Sequence, residues 1–310
     1  MSSPDQVETS SGLTFERQPG QAIDFPIDSH MHTAFSHDSK ALLELYAAQA
    51  AEYGIREIAI TDHVDFTPGL AGYRYFDYDV RRKVIADAAE RWAGKVRIRH
   101  GVELTYESRL EDVVRDYLET HAFDFTIGSV HAVKDSPYTK ANVEAFATGK
   151  TVAEAVAPYF AEVERAIRSR LFDTLGHLDQ CKRWLHRWFA NEAFASIPES
   201  YEPLLRALVE TGTALEVNAS GLRYPERETY PAGWVVERFR QLGGRRVTIG
   251  SDAHMPQSFA FGIEEAAEIV AAAGFDRLSL ERALDRGDLV LPDRFRRGQA
   301  GTADPFMANS

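Results

Sequence analysis

The chain has 310 residues, of which 44% are hydrophobic and 26% are charged, and this composition is typical of a globular protein with one large core. Its formal net charge of −12 argues against nucleic acid as a main partner, because phosphate backbones are bound by basic surfaces. The single cysteine, Cys181, excludes an intrachain disulfide and indicates a reducing compartment.

Both ends of the chain are polar and are predicted to be flexible, over residues 1–24 and 293–310. The first 24 residues contain no basic segment followed by an apolar run, so no signal peptide is predicted. No apolar run approaches the ~20 residues that span a bilayer. We therefore expect a cytoplasmic protein without a membrane partner, in which residues 25–292 form one domain.

Short apolar runs and helical stretches alternate through this domain. The predicted strands are 27–32, 57–61, 96–103, 123–130, 174–178, 214–218 and 246–250. The predicted helices that follow them are 40–53, 77–92, 109–118, 152–170, 202–210, 232–242 and 264–273. Seven strand–helix units in one direction predict an α/β fold, a closed or nearly closed (β/α) barrel, with a last helix at 278–286 packed beneath it.

Histidines and carboxylates follow these strands, at the barrel end where such enzymes carry their chemistry. The candidate metal ligands are His30, His32, His37, His63, Glu103, His131, His177, Asp252 and His254. A mixed set of imidazoles and carboxylates is typical of zinc, iron or manganese, whereas magnesium and calcium prefer oxygen ligands. The other three histidines, His100, His121 and His186, have no such partners and are predicted to be structural or exposed.

Two spacings favour a site with more than one ion. His30 and His32 lie two residues apart on a strand, so both imidazoles face the barrel lumen, and Asp252 and His254 repeat the spacing. Glu103 has two carboxylate oxygens and is therefore a candidate bridge between two ions.

The order of these motifs (H-x-H, T-D-H, G-x-E, G-S-V-H, G-H-x-D, E-x-N and G-S-D-A-H) resembles the polymerase and histidinol phosphatase (PHP) family over residues 27–275. It is most similar to the monofunctional histidinol-phosphatase branch. The resemblance implies a distorted seven-stranded TIM-like barrel and three divalent metal ions. The implied ligand groups are His30, His32, Glu103 and Asp252; Glu103, His131 and His177; and His37, His63 and His254.

Divalent cations lower the pKa of bound water, so a metal-bound hydroxide is the predicted nucleophile for hydrolysis of a phosphate ester. The resemblance implies that the small phosphorylated substrate is L-histidinol phosphate, in histidine biosynthesis, and that the chain is a phosphoric monoester hydrolase. Nucleotides, sugar phosphates and phosphodiesters stay open as alternatives. An amidohydrolase-type enzyme or a non-catalytic accessory module is a weaker alternative, and the sequence indicates no oligomeric state.

Basic residues follow two of the motifs, and we expect Arg223, with Arg183 or Lys182, to bind the phosphate. Glu216 and Asn218 share a strand face. They either support a metal-binding histidine from behind, bind a substrate amine or fill a polar layer. Asp65 and Asp179 are candidate proton donors to the leaving group.

Overall fold

The computed structural model of the chain describes residues 22–69, 71–133, 136–137, 143–280 and 288–296. Seven parallel strands pair in chain order. They are β1 (Phe25–Met31), β2 (Ile55–Ile60), β3 (Arg97–Thr105), β4 (Phe125–Ser129), β5 (Thr174–Leu175), β6 (Ala214–Asn218) and β7 (Val247–Gly250). This order confirms the predicted (β/α) barrel.

Hydrogen bonds between the ends of the first and last strands close the barrel. The amide of Asp252 donates to the carbonyl of His30 at 2.8 Å, and the amide of His32 donates to the carbonyl of Ala253 at 2.8 Å. A parallel bridge joins Met31 and Ala253. These contacts lie at the carboxyl ends of β1 and β7, so the barrel is joined where the polar motifs emerge.

A helix packs outside the sheet after each strand. The seven helices are α1 (Leu43–Tyr53), α2 (Tyr78–Arg91), α3 (Glu111–Thr120), α4 (Val152–Ser169), α5 (Pro198–Thr211), α6 (Gly233–Gln241) and α7 (Ile263–Ala272). The sequence of α4 shows why such a segment forms a helix. Thr151 and Glu154 form a capping box at its start. Val156, Phe160 and Val163 of that helix recur on one face and are buried in the core.

Four short helices, at Glu144–Ala147, Lys182–Leu185, Asn191–Ala195 and Asp293–Arg296, lie outside this repeat. The prediction of a last helix that begins at 278 is wrong, because Arg277–Leu278 pairs as an antiparallel strand with Leu289–Val290. Ser279 and Leu280 are not helical either, and the rest of that predicted helix, residues 281–286, lies outside the described residues.

The predicted flexible ends also lie largely outside the described residues, and the domain limits stay a prediction. Within the described part of the chain, no helix is both long enough and apolar enough to cross a bilayer.

His100 on β3 is a half-buried histidine that serves the fold. Its ring packs 4.9 Å from that of Phe123, and its Nε2 is buried without a hydrogen-bond partner. Burial and the nearby charge of Arg81 lower the pKa of His100 from 6.5 to about 4. The folded chain therefore resists protonation of this ring, whereas the unfolded chain does not.

This difference predicts a pH-dependent contribution to stability. Between pH 6.5 and 4 the unfolded chain binds a proton at His100 that the folded chain excludes, so stability present at neutral pH is lost as the pH falls. Urea unfolding of metal-free wild type should lose about 3 kcal/mol more than His100→Gln between pH 7 and pH 4. Parallel curves for the two proteins would contradict the expectation.

Candidate metal centre

The barrel brings eight of the nine predicted ligands together at the carboxyl ends of its strands. They are His30, His32, His63, Glu103, His131, His177, Asp252 and His254, and all but His131 and His254 are buried. The sheet register contributes directly, because His63–Val64 extends the barrel beside β3 and pairs His63 with Glu103. The side chains of distant sequence segments therefore share one small volume.

The carboxylate of Glu103 lies at the middle of this cluster. Its Oε2 is 3.0 Å from Nδ1 of His63, 3.2 Å from Nε2 of His30 and 3.3 Å from Nε2 of His32. None of these approaches has the geometry of a hydrogen bond, and the buried Oε2 has no hydrogen-bond partner. An oxygen in this position is suited to a cation.

The second oxygen of Glu103 faces a different pair of imidazoles. Its Oε1 is 2.9 Å from Nε2 of His177 and 3.3 Å from Nε2 of His131. Since each oxygen has its own set of histidines, the geometry agrees with a bridging role for this carboxylate.

Pairs of ring nitrogens also point at one another. The Nε2 atoms of His30 and His32 are 3.1 Å apart, and those of His131 and His177 are 3.3 Å apart. In three groups the ligand atoms lie within 4.8 Å of one another: His30, His32 and Asp252; His63, Glu103 and His131; and His32, His63 and His254. Converging lone pairs on imidazoles and carboxylates fit zinc, iron or manganese.

The electrostatics of the cluster keep Glu103 ionised and His32 neutral. At His30, His63 and His177, by contrast, burial lowers the pKa but the surrounding carboxylates outweigh it and raise the pKa. Burial opposes ionisation of Glu103, but the neighbouring His30 and His63 outweigh it and hold its pKa well below the ordinary value. Burial, with His254 and His63 beside it, lowers the pKa of His32 to about 3. At neutral pH this ring is therefore neutral, as a metal ligand must be.

Glu216 contacts two of the predicted ligands from behind. Its Oε1 lies 2.6 Å from Nδ1 of His30, while its Oε2 accepts hydrogen bonds from the amide of His177 at 2.7 Å and from Nδ2 of Asn218 at 3.1 Å. Asn218 also lies 3.4 Å from Asp252. This is the arrangement expected if the two residues support the ligands rather than contact the substrate.

A second supporting network was not apparent from the sequence. Ser36 Oγ is 3.1 Å from Nδ1 of His32 and donates to Asp62 at 3.2 Å. Asp62 in turn accepts from Nε of the fully buried Arg81 at 2.7 Å. The only hint in the sequence was Asp62 within the T-D-H motif, because Arg81 lies on α2 and reaches the site through the tertiary fold.

The structure does not bring His37 into the ligand groups. Its ring centroid is 5.7 Å from that of His63, and its ring meets Tyr75 edge-on at 6.2 Å. Asp38 instead has Oδ2 3.2 Å from Nε2 of His254 and 3.5 Å from Nε2 of His63. Sequence reasoning missed Asp38, since a loop has no regular period that shows which of two neighbours points inward.

The three predicted phosphate-binding residues have different surroundings. Arg223 donates to the carbonyls of Ser251 at 2.8 Å and Asp252 at 2.9 Å, so it lies beside the cluster. The guanidinium of Arg183 stacks 3.9 Å from the ring centroid of Tyr224 and has no hydrogen bond or ion pair to a described residue.

Lys182, by contrast, is buried and paired. Its Nζ is 2.7 Å from Glu228 and 3.2 Å from Asp179. Asp179 also accepts from the hydroxyl of Tyr201 at 3.0 Å, and burial raises its pKa. This ion pair and its hydrogen bonds hold the segment after β5.

Comparison with known proteins agrees with the geometry. A family model described as PHP domain matches residues 28–220. A probable histidinol-phosphatase of Deinococcus radiodurans is 30% identical over 260 residues, which cover 80% of this chain and 93% of that protein. The histidinol-phosphatase of Lactococcus lactis is 27% identical over 259 residues, which cover 82% and 93%.

A solved structure shares the fold as well. The crystal structure of histidinol phosphate phosphatase from Lactococcus lactis, complexed with zinc, L-histidinol and phosphate, superposes with a TM-score of 0.73 at 26% identity. The match covers 83% of this chain and 96% of that one. Together the two kinds of match confirm the resemblance and the barrel inferred from the strand-end motifs.

The positions of Asp38 and His37 predict different effects on metal content. Asp38→Asn should retain fewer ions, by about one per chain, because it weakens an anionic ligand between two imidazoles. His37→Asn, at the adjacent position, should retain the wild-type number. Elemental analysis after dialysis in chelator-free buffer measures both, and a loss confined to His37→Asn would contradict this assignment.

Proposed function

The chain belongs to the PHP domain family, and we propose on that basis that it is a metal-dependent phosphatase that converts L-histidinol phosphate to L-histidinol and phosphate. One observation carries the proposal. The similar Lactococcus lactis enzyme holds zinc, L-histidinol and phosphate, and this chain covers 96% of it with a matching barrel. The cluster of histidines and carboxylates at the strand ends supports the same chemistry.

We propose that three divalent cations bind here, with zinc the first choice. The three groups are His30, His32, Glu103 and Asp252; Glu103, His131 and His177; and Asp38, His63 and His254. Asp38 takes the place predicted for His37 because its carboxylate faces both histidines of the third group.

Bound cations of this kind supply a hydroxide nucleophile near neutral pH and neutralise charge on the phosphoryl oxygens. The protein's contribution is a rigid, buried frame. Glu216 hydrogen-bonds to Nδ1 of His30 and so leaves the Nε2 of that ring free to bind a cation. Asp62 has the same effect on His32 through the hydroxyl of Ser36. With hydroxide as the nucleophile, no serine or cysteine has to attack phosphorus.

Two arginines are suited to binding the phosphate. Arg223 is anchored to the backbone of Ser251 and Asp252, beside the third and first ligand groups, by two of its five N–H groups. Arg183 stacks on Tyr224, the neighbour of Arg223, and its N–H groups have no partner among the described residues. A stacked guanidinium with open donors is suited to bidentate contact with a phosphate.

Lys182 and Asp179 are less suited to their predicted roles. The ammonium of Lys182 already lies between Asp179 and Glu228, and Lys182 is only 1% exposed. Asp179 is fully buried beneath it. We assign both to the support of the loop that carries Arg183.

The first test is phosphate release from L-histidinol phosphate by chelator-free protein, alongside nucleotides, sugar phosphates and phosphodiesters. We expect kcat/KM for L-histidinol phosphate to exceed the others by about 100-fold or more, because a site that pairs the substrate's polar groups rejects analogues without them. Treatment with a chelator should abolish the activity. Equal, weak rates across the panel would reject this substrate, and no hydrolysis of any ester would reject the phosphatase.

Arg183→Ala should lower kcat/KM about 10- to 100-fold, because it removes a charged hydrogen-bond donor to phosphate. The metal content should not change. Arg187→Ala is the matched control, since Arg187 is exposed on the same segment and lies 5.8 Å from the ring of Trp188. Wild-type kinetics in Arg183→Ala would remove this arginine from the phosphate site.

A further inference from the structure

We propose that Asp65 is a positioning residue that acts through Thr105 on His131, and that it is not a proton donor to the leaving group. The inference rests on the proposed metal centre and deepens it. It concerns how hydrogen bonds hold one proposed ligand in the tautomer and orientation that a metal requires.

Three side chains form a continuous hydrogen-bonded chain behind the cluster. Thr105 ends β3, two residues after Glu103, and its Oγ1 is 2.8 Å from Nδ1 of His131. The same hydroxyl donates to Oδ1 of Asp65 in a short hydrogen bond. The far nitrogen of the ring, Nε2, points at Glu103 and His177, at 3.3 Å from each.

The direction of the hydrogen bonds follows from the number of protons available. An ionised carboxylate only accepts, so the single hydroxyl proton of Thr105 must point at Asp65. The hydroxyl oxygen then accepts from Nδ1–H of His131. This arrangement selects the tautomer with a free lone pair on Nε2, the atom that faces the ligand group.

His131 needs such a restraint more than its neighbours do. Its side chain is 26% exposed, whereas that of His30 is fully buried and is fixed directly by Glu216. Packing alone therefore leaves the ring of His131 less constrained. The carboxylate of Asp65 supplies the missing restraint indirectly, through the hydroxyl of Thr105.

The surroundings of Asp65 keep its carboxylate behind the ligand. Asp65 is only 7% exposed, and its carbonyl accepts from the amide of Arg74 at 3.2 Å. Gly72 packs directly against the carboxylate, where any Cβ would collide with it. A proton donor must come within hydrogen-bond distance of the leaving oxygen, whereas Oδ1 of this carboxylate is already engaged by the hydroxyl of Thr105.

The test is a double-variant cycle with metal affinity as its main readout. Thr105→Val removes the hydroxyl at nearly constant volume, and Asp65→Ala removes the acceptor. Each should weaken retention of one metal ion about 10- to 100-fold in competition with a chelator. The double variant should lose no more metal affinity than either single variant, because both changes break the same chain of hydrogen bonds.

Two controls separate positioning from general damage to the barrel. Thr105→Ser restores the hydroxyl and should recover metal affinity to near the wild-type value. Thr126→Val is the matched control on β4, where the hydroxyl donates to Asp173 at 2.8 Å without contacting a ligand, and should leave metal affinity unchanged. If Thr105→Val does not fold, Thr105→Ala takes its place in the cycle.

The kinetics of two phosphate esters distinguish positioning from proton donation. Loss of a proton donor slows an alkyl phosphate far more than an aryl phosphate, whose leaving group departs without protonation. Loss of positioning slows both equally. Asp65→Ala with wild-type metal affinity and a defect confined to the alkyl ester would overturn the inference, as would wild-type metal affinity in Thr105→Val. If the wild type hydrolyses neither ester, the proposed function fails, and metal affinity alone still decides the role of Asp65.

Discussion

The site depends on one buried carboxylate. Glu103 is 1% exposed and has five imidazoles from four other segments of the barrel within 3.3 Å. A carboxylate in that position is costly unless positive charge meets both of its oxygens. Imidazoles that are charged, or cations that they bind, supply that charge. Because five histidines must reach this one residue, the four segments that carry them must end at the same level of the barrel.

The hydrogen bonds that close the barrel are part of the same arrangement. The bonds between β1 and β7 involve the backbones of His30, His32, Asp252 and Ala253, three of which carry proposed ligands. The contacts that close the barrel therefore also bring together three of the four residues of the first proposed ligand group, His30, His32 and Asp252. A substitution that loosens this junction should weaken metal binding, and metal binding should in turn stabilise the junction.

Polar side chains behind the ligands form a second layer of constraint. Glu216 contacts His30 directly, Asp62 reaches His32 through Ser36, and Asp65 reaches His131 through Thr105. Each chain ends on a carboxylate, which accepts a hydrogen bond and so favours the tautomer whose other ring nitrogen is free for a cation. The buried polar groups of these three chains are thus explained by the orientation of the proposed ligands. The barrel itself does not select a substrate. In the proposed function that selection falls to Arg183 and Arg223.

Much of this could be read from the amino-acid sequence because strands and helices are periodic. The two-residue repeat of a strand placed His30 and His32 on one face, and the alternation of apolar runs and helices predicted the barrel. Chain order alone then put eight of nine ligand candidates at one end of it. Residue type at a strand end was therefore a sufficient signal for the cluster of imidazoles and carboxylates.

Only the tertiary structure decided what lies in loops or depends on partners distant in the chain. Asp38 rather than its neighbour His37 faces the third group, because a loop has no period to indicate direction. Lys182 looked like a phosphate ligand until the fold paired it with Glu228, 46 residues away. The hydrogen-bonded chain from Asp65 through Thr105 to His131 likewise joins three strand ends that no local sequence pattern relates. Local periodicity determines which way a strand residue faces, whereas the partners of a side chain are set by how the whole chain packs.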